Sequence, residues 1–268
     1  MAEYYIIDDK AMSSSLSQYK SICHGTIKHR KRTLTTLAKF ERDVLKRFDS
    51  IKSGVKPPKK DFWRIFSNRK PKKGTTFRPA GCDIKSAFRA FIASEQGNRC
   101  CYCQRWLLNN GNAKPIEHIL PRESFEHYAF HFWNLAVACV DCNGIKRAKV
   151  WCDAAKRGQR EYPTPSSFTE MYHPRFHRFK DHVRFIRVQT NDHSITLYRG
   201  ITSQGQRLCK DLLKDIAAKE VLINGNSNLK GSLETIDRFE AEEGSKLAEA
   251  LLSLQSALSD VAIKLINR

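Results

Sequence analysis

Residues 99–149 read RCCYCQRWLLNNGNAKPIEHILPRESFEHYAFHFWNLAVACVDCNGIKRAK, and this segment carries the strongest structural signal in the chain. Two C-x-x-C pairs, Cys100/Cys103 and Cys139/Cys142, lie near its two ends. Each pair places two thiolates on one tight turn, and two such turns complete a tetrahedral zinc shell. Because four thiolates leave no open position for water or substrate, the spacing predicts a structural zinc that pins both ends of the 35 intervening residues.

The other cysteines indicate ordinary thiols in a reducing compartment. The chain has nine cysteines, an odd number that suits metal binding better than a disulfide framework. It starts Met-Ala-Glu-Tyr-Tyr, without the basic start and apolar run of a secretion signal, and its longest apolar stretches are too short to span a membrane. We therefore expect a cytoplasmic protein without membrane insertion. The remaining thiols are Cys23, Cys82, Cys101, Cys152 and Cys209, and a C-x-C register of Cys101 with Cys103 is an alternative.

The segment between the cysteine pairs predicts two strands and a helix. Residues 115–120 (PIEHIL) favour a short strand, and residues 133–138 (WNLAVA) favour its antiparallel partner. A helix is expected to begin at Asp141, directly around the last cysteine. The intervening RESFEHYAFHF is too long for a tight turn, so we expect a loop with some helix there.

Glu117, His118, Asn134 and Asn143 occur in this framework in an order that resembles the HNH, or ββα-metal, endonucleases. The resemblance is to the subgroup whose catalytic finger is held by a four-cysteine zinc site, and it covers about residues 99–150. In that family a histidine ends the first strand, an asparagine lies on the second, and a histidine or asparagine opens the helix. His118, Asn134 and Asn143 match these positions.

The resemblance implies metal-dependent hydrolysis of phosphodiester bonds in DNA. His118 would act as the general base, since a neutral imidazole can accept a proton from water, and Asn134 would orient His118 through a hydrogen bond. Glu117 and Asn143 would bind a catalytic magnesium or manganese ion through oxygen. Because adjacent strand residues point to opposite faces, Glu117 has an alternative role as the ion-pair partner of a nearby Lys or Arg.

The charge distribution favours a polyanionic partner. The formal net charge is +19, and residues 20–78 contain 19 Lys and Arg against four acidic residues. Residues 211–268 contain ten acidic and seven basic residues instead. Such a basic region predicts attraction to the phosphates of nucleic acid, with a solvated basic surface as the alternative. The candidate contacts are Lys146, Arg147, Lys149, Lys70, Lys72 and Lys73.

The whole chain predicts an α+β fold that is mainly helical, built around the zinc-held ββα finger, with a second small β-hairpin. We expect a basic region at 1–80, a nuclease core at 81–151 and a C-terminal hairpin with helices at 152–268. Apolar residues recur at helical spacing over 34–51, 84–92, 208–216 and 247–265, and residues 183–188 and 194–198 alternate as strands. Phe62 and Trp63 lie between two Lys- and Pro-rich passages, where aromatic rings stack on bases or dock an arm onto the core.

These features lead to three functional hypotheses. The leading hypothesis is an HNH endonuclease that acts on double-stranded DNA and, as a monomer, nicks one strand. The resemblance extends loosely to nuclease components of bacterial anti-phage systems, namely PtuB of Septu with its retron relatives and ZorE of Zorya, which implies a regulatory ATPase or sensor subunit. A ribonuclease that cuts transfer RNA and a zinc-knuckle binding module without catalysis are the alternatives.

Overall fold

The computed structural model describes residues 4–23, 27–70, 79–107, 114–189 and 194–225, together with positions 250 and 253. Within these ranges the chain combines helices with two separate two-stranded antiparallel sheets. The expected mixture of helices and small sheets is therefore confirmed at the level of fold class.

Four helices precede the first strand in the part of the chain that the structure describes. Aspartate side chains cap two of them: Asp8 accepts a hydrogen bond from the Ala11 amide, and Asp61 accepts one from the Arg64 amide. None of the helices in the described segments combines the length and apolar character needed to cross a bilayer. The four helices are α1 (Asp9–Ile22), α2 (Ile27–Lys52), α3 (Phe62–Ser67) and α4 (Gly81–Glu95).

The segment between the cysteine pairs forms a strand, a long loop, a second strand and a helix, and we call residues 114–149 the finger. Strand β1 (Ile116–His118) pairs with β2 (Leu135–Val137), and helix α5 (Val140–Lys146) follows. Both strands are shorter than the sequence predicts, and β2 begins late because Trp133 and Asn134 belong to a 3-10 turn that precedes it. The order of elements agrees with the prediction.

The C-terminal part contains the expected hairpin. Strand β3 (Val183–Gln189) pairs with β4 (Ser194–Gly200) in an uninterrupted antiparallel register. Helix α6 (Phe179–His182) leads into it, while α7 (Ser203–Leu208), one π-helical turn and α8 (Lys214–Asn224) follow. The helix predicted over residues 247–265 lies outside the described residues, apart from positions 250 and 253.

Two groups of buried side chains join these elements. The larger core draws from α1, α4, the finger, residues 168–183 and α7 to α8. The smaller one ties α2, α3 and α4 to the loop between β1 and β2 (residues 119–134), which we call the finger loop. Phe66, Ala129 and Phe130 belong to this group. A Cβ atom at Gly81 would lie 1.8 Å from the Phe66 carbonyl oxygen, so only glycine allows α4 to start this close to α3. This packing places α3 beside His118 at the end of β1.

Candidate active site and metal centre

The four predicted zinc ligands converge. The Sγ atoms of Cys100, Cys103, Cys139 and Cys142 all lie within 4.8 Å of one another, and those of Cys103 and Cys139 are 3.8 Å apart. Tetrahedral zinc–thiolate bonds of about 2.3 Å place neighbouring sulfurs about 3.8 Å apart, so the set fits such an ion. The four cysteines could therefore hold a structural metal ion such as zinc. Cys101 is buried outside this set, which decides against the C-x-C register.

Local backbone geometry explains why the first pair forms a knuckle. The Cys100 amide donates to the Arg105 carbonyl oxygen at 2.9 Å, and the Leu107 amide donates to Asn98 at 2.8 Å. Gln104 closes the turn with a φ of 60°, and its side-chain amide donates to the Cys100 carbonyl oxygen. The Tyr198 hydroxyl from β4 donates to the Cys103 carbonyl oxygen at 3.0 Å, so the hairpin supports the knuckle from outside.

Arg105 supplies positive charge beside the sulfurs. Its guanidinium Nε lies 3.4 Å from the Cys103 Sγ and its Nη2 lies 3.9 Å from the Cys139 Sγ. Asp141 holds Arg105 at 2.9 Å and also binds Lys219 of α8 at 2.5 Å. A divalent ion with four thiolates would carry a net negative charge, and these cations would stabilise such a metal-bound form. Sequence reasoning missed Arg105, although its position within the knuckle is visible in the sequence.

His118 ends β1, as predicted, and its ring is fixed on two sides. Its Nε2 lies 3.1 Å from the Ala129 carbonyl oxygen, and the Trp63 indole meets the ring edge-on at a centroid distance of 4.5 Å. Burial lowers the pKa of His118 to about 3, and the Arg122 guanidinium adds to this effect. The imidazole is therefore neutral at pH 7. With Nε2–H donating to Ala129, Nδ1 carries the lone pair that can accept a proton.

Asn134 has a different role from the one predicted for it. Its side-chain oxygen accepts from the Leu120 amide at 2.8 Å and from the Tyr162 hydroxyl at 3.2 Å. Its amide nitrogen donates to the carbonyl oxygens of Leu120 and Tyr128, both at 3.1 Å. The amide thus fixes the loop that carries Ala129, instead of forming the expected hydrogen bond with His118. Asn134 positions the His118 ring only through the backbone of this loop.

Glu117 and Lys146 form a buried ion pair, which corrects two predictions. The Lys146 Nζ lies 2.5 Å from the Glu117 Oε1 and 3.0 Å from the His118 carbonyl oxygen, and its side chain is 0% exposed. The Tyr102 hydroxyl also donates to the same carboxylate oxygen. Burial raises the pKa of Glu117, whereas Lys146 acts in the opposite direction. Lys146 therefore does not reach a phosphate at the surface, and Glu117 adopts its alternative role as an ion-pair partner.

Loss of either member of this pair is expected to destabilise the protein strongly. We expect Lys146→Met or Glu117→Gln alone to lower the free energy of unfolding by about 3–5 kcal/mol, because each leaves a buried group without its partner. The double variant should lose less than the sum of the two single changes. Chemical denaturation of all four proteins measures this coupling. Single losses below about 1 kcal/mol would contradict a buried ion pair.

The remaining candidate contacts have varied surroundings. Asn143 is partly buried on the first half of α5, one turn before Lys146. Arg147, Lys149 and Lys70 are exposed, and the Lys149 Nζ lies 3.4 Å from the Asp211 carbonyl oxygen. Lys72 and Lys73 lie outside the described residues.

Within the described chain, the four-cysteine set is the only group of three or more His, Cys, Asp or Glu side chains with converging ligand atoms.

A cleft of about 500 Å³ lies next to the residues that contact the His118 ring, although His118 itself is not one of its lining residues. Trp63 and Ala129, the two residues that contact the His118 ring, both border this cleft. Its walls come from the end of α2, the loop before α3, α3 itself and the finger loop. The other lining residues are Arg47, Lys59, Lys60, Asp61, Phe62, Arg122, Glu123 and Glu126. The sequence places Trp63 between two Lys- and Pro-rich passages, but nothing local in it signals the contact with His118.

Buried neutral histidines make stability depend on pH. Burial lowers the pKa of His118 to about 3 and those of His127 and His177 to about 4, below the ordinary value of 6.5. The unfolded chain therefore binds more protons than the native protein as the pH falls below 6.5. The stability is fully present above pH 6.5 and is lost progressively towards pH 4, by up to about 1.4 kcal/mol per pH unit for each histidine. Urea unfolding between pH 7 and 4.5 measures this, and a flat profile would contradict it.

Comparison of the chain with protein-family models, with curated proteins and with solved structures finds no match.

Proposed function

We propose that the protein is an endonuclease that hydrolyses phosphodiester bonds of nucleic acid, with DNA as its substrate. The observation that carries this proposal is the setting of His118. A neutral imidazole is held by a backbone carbonyl group at the end of β1, and its two ring contacts border a cleft lined by four cationic and three acidic side chains. A metal ion held by the four-cysteine set would fix the start of α5 close to this strand. The resemblance to HNH endonucleases rests on the same residues.

The chemistry needs a proton acceptor and positive charge near the phosphate. The negative charge of the bound phosphate raises the pKa of His118 from the value of about 3 that burial gives it, so that His118 accepts a proton from water and the resulting hydroxide attacks the phosphorus atom. The bond from phosphorus to the leaving ribose oxygen breaks, and that oxygen takes a proton from solvent. The cleft lysines Lys59 and Lys60 supply positive charge for the phosphoryl oxygens, since Arg122 is already paired with Asp61.

The catalytic magnesium or manganese implied by the resemblance does not fit the side chains as they are arranged. The Glu117 carboxylate is engaged by Lys146 at 2.5 Å and by the Tyr102 hydroxyl at 3.3 Å. Asn143 alone offers too few oxygen ligands for a hard cation. We therefore assign no step to a divalent ion. The cleavage assay described below, with magnesium or with EDTA, tests whether cleavage requires one.

The proposal includes control by a partner. With a net charge of +19, the protein is expected to bind nucleic acid without regard to sequence, including the chromosome of its own cell. A nuclease of this kind requires restraint. A regulatory ATPase or sensor subunit, as the loose resemblance to anti-phage nucleases implies, would supply it.

One assay separates the proposed endonuclease from its alternatives. The purified protein is incubated with supercoiled plasmid, linear duplex DNA and total transfer RNA, each with magnesium or with EDTA. We expect conversion of supercoiled plasmid to the open circle. Cleavage of transfer RNA alone would make the protein a ribonuclease. Binding to all three without cleavage would make it a binding module and contradict the proposal.

A further inference from the structure

The cleft beside His118 has walls that are fixed by ion pairs. Arg47 binds Glu126 at 2.9 Å and also donates to the Pro58 carbonyl oxygen, which ties the loop before α3 to α2 and the finger. Arg122 binds both carboxylate oxygens of Asp61, at 2.9 and 3.0 Å, and so joins the finger loop to the start of α3. These ion pairs therefore hold the cleft open between α3 and the finger.

Two lysines at the rim remain for a ligand. Lys59 and Lys60 are exposed and form no ion pair with any described residue, whereas Arg47 and Arg122 are each paired with a carboxylate. The Lys60 Nζ lies 4.8 Å from the centroid of the Phe62 ring, so its charge is held over the aromatic side of the cleft. A ligand with a negative charge and an apolar face would pair with these lysines and pack against the aromatic side of the cleft.

Trp63 connects this cleft to the proposed base. Its indole ring packs against Phe66 and Phe130 at centroid distances of 5.5 and 5.4 Å, and it lies nearly perpendicular to the His118 ring. The ring is only partly buried and borders the cleft. A planar group in the cleft would therefore lie against an aromatic ring that touches the proposed base.

We infer that this cleft binds one unpaired nucleotide of the substrate strand beside the scissile phosphate, an inference that rests on the proposed function. The base would stack on Trp63, and the adjacent phosphates would contact Lys59 and Lys60. A volume of about 500 Å³ is typical of a site for a small ligand. Stacking requires a base whose face is not covered within a duplex. The preferred substrate is therefore single-stranded nucleic acid or a locally unpaired strand, in contrast to the duplex expected from the sequence.

Binding measurements on the full chain with His118→Ala test the cleft without requiring cleavage. Fluorescence anisotropy with a labelled 15-nucleotide single strand and with the matching duplex gives the dissociation constant as a function of salt. Lys59→Ala combined with Lys60→Ala should lower the salt slope for the single strand by about 1.4, since each lost phosphate contact contributes about 0.7. The matched control, Lys10→Ala with Lys180→Ala, removes the same charge from exposed positions outside the cleft and should leave the slope unchanged.

Trp63 tests the stacking part of the inference. We expect Trp63→Ala to weaken single-strand binding roughly 5- to 100-fold, and Trp63→Phe to recover most of that loss because a stacking face remains. If Trp63→Ala does not fold, the inference is tested by single-strand binding of the protein with the native Trp63, of Trp63→Phe and of the double variant at Lys59 and Lys60. Equal slopes for the two lysine pairs, or a duplex that binds as tightly as the single strand, would overturn the inference.

The two proposals fail in distinguishable ways. If the native protein cuts no nucleic acid but binds single strands through Lys59, Lys60 and Trp63, the nuclease function fails and the nucleotide site stands. If the native protein cuts nucleic acid and the cleft variants bind and cut as it does, the nucleotide site alone is wrong.

Discussion

Replacing Cys139 with serine is expected to release the metal and unfold the finger. The Cys139 Sγ is one of four sulfurs within 4.8 Å of one another, and it also accepts from the Cys142 amide at 3.4 Å. Metal binding to a structural site of this type is worth on the order of 10–16 kcal/mol, comparable with the whole stability of a domain. A hydroxyl group is a poor ligand for zinc, so most of this free energy would be lost.

Zinc stoichiometry by mass spectrometry and circular dichroism measure this outcome together. Cys82→Ser is the matched control, because Cys82 is an exposed free thiol that does not belong to the four-cysteine set. The control should keep one zinc per chain and the native spectrum. A Cys139→Ser protein that retains stoichiometric zinc and its native fold would show that the four-cysteine set is not a structural metal site.

The sequence predicted the features that depend on local spacing. The C-x-x-C pairs identified the four converging sulfurs, because two cysteines on one tight turn necessarily lie close together. Alternating apolar residues predicted the β3–β4 hairpin, whose observed strands extend the predicted ones by one or two residues. The order of β1, β2 and α5 also follows from the pattern between the cysteines.

Features that depend on packing between distant segments were not visible in the sequence. Lys146 belongs to a basic run, so its charge predicted a surface position, yet the last turn of α5 packs against β1 and buries it with Glu117. Asn134 was expected to face His118 from a strand, but a 3-10 turn directs its amide to the loop backbone. The contact of Trp63 with His118 exists only because α3 docks on the finger loop.

Replacing His118 with alanine is expected to slow cleavage by 10²- to 10⁴-fold, the usual contribution of a general base. The imidazole is neutral because burial holds its pKa near 3, and its Nε2–H is oriented by the Ala129 carbonyl oxygen. Zinc content and nucleic-acid binding should survive, since His118 contributes to neither in this account.

His127→Ala is the matched control for this substitution. His127 is a buried histidine of the same finger loop, with its Nε2 at 2.9 Å from the Gln159 carbonyl oxygen, and its ring packs on Phe48 and Tyr128, neither of which lines the cleft. Removing it creates a comparable cavity, so it should cost stability without removing the proposed base. We expect His127→Ala to retain turnover at temperatures where it stays folded.

The most direct test of the account is the single-turnover rate of plasmid nicking, measured with saturating protein for the native chain, His118→Ala and His127→Ala. Saturation removes differences in binding, so the rate reports the chemical step. We predict that His118→Ala is at least 100-fold slower than the other two while its plasmid remains bound. A His118→Ala protein that nicks plasmid within a few-fold of the native rate would contradict the assignment of His118 as the base and, with it, the proposed mechanism.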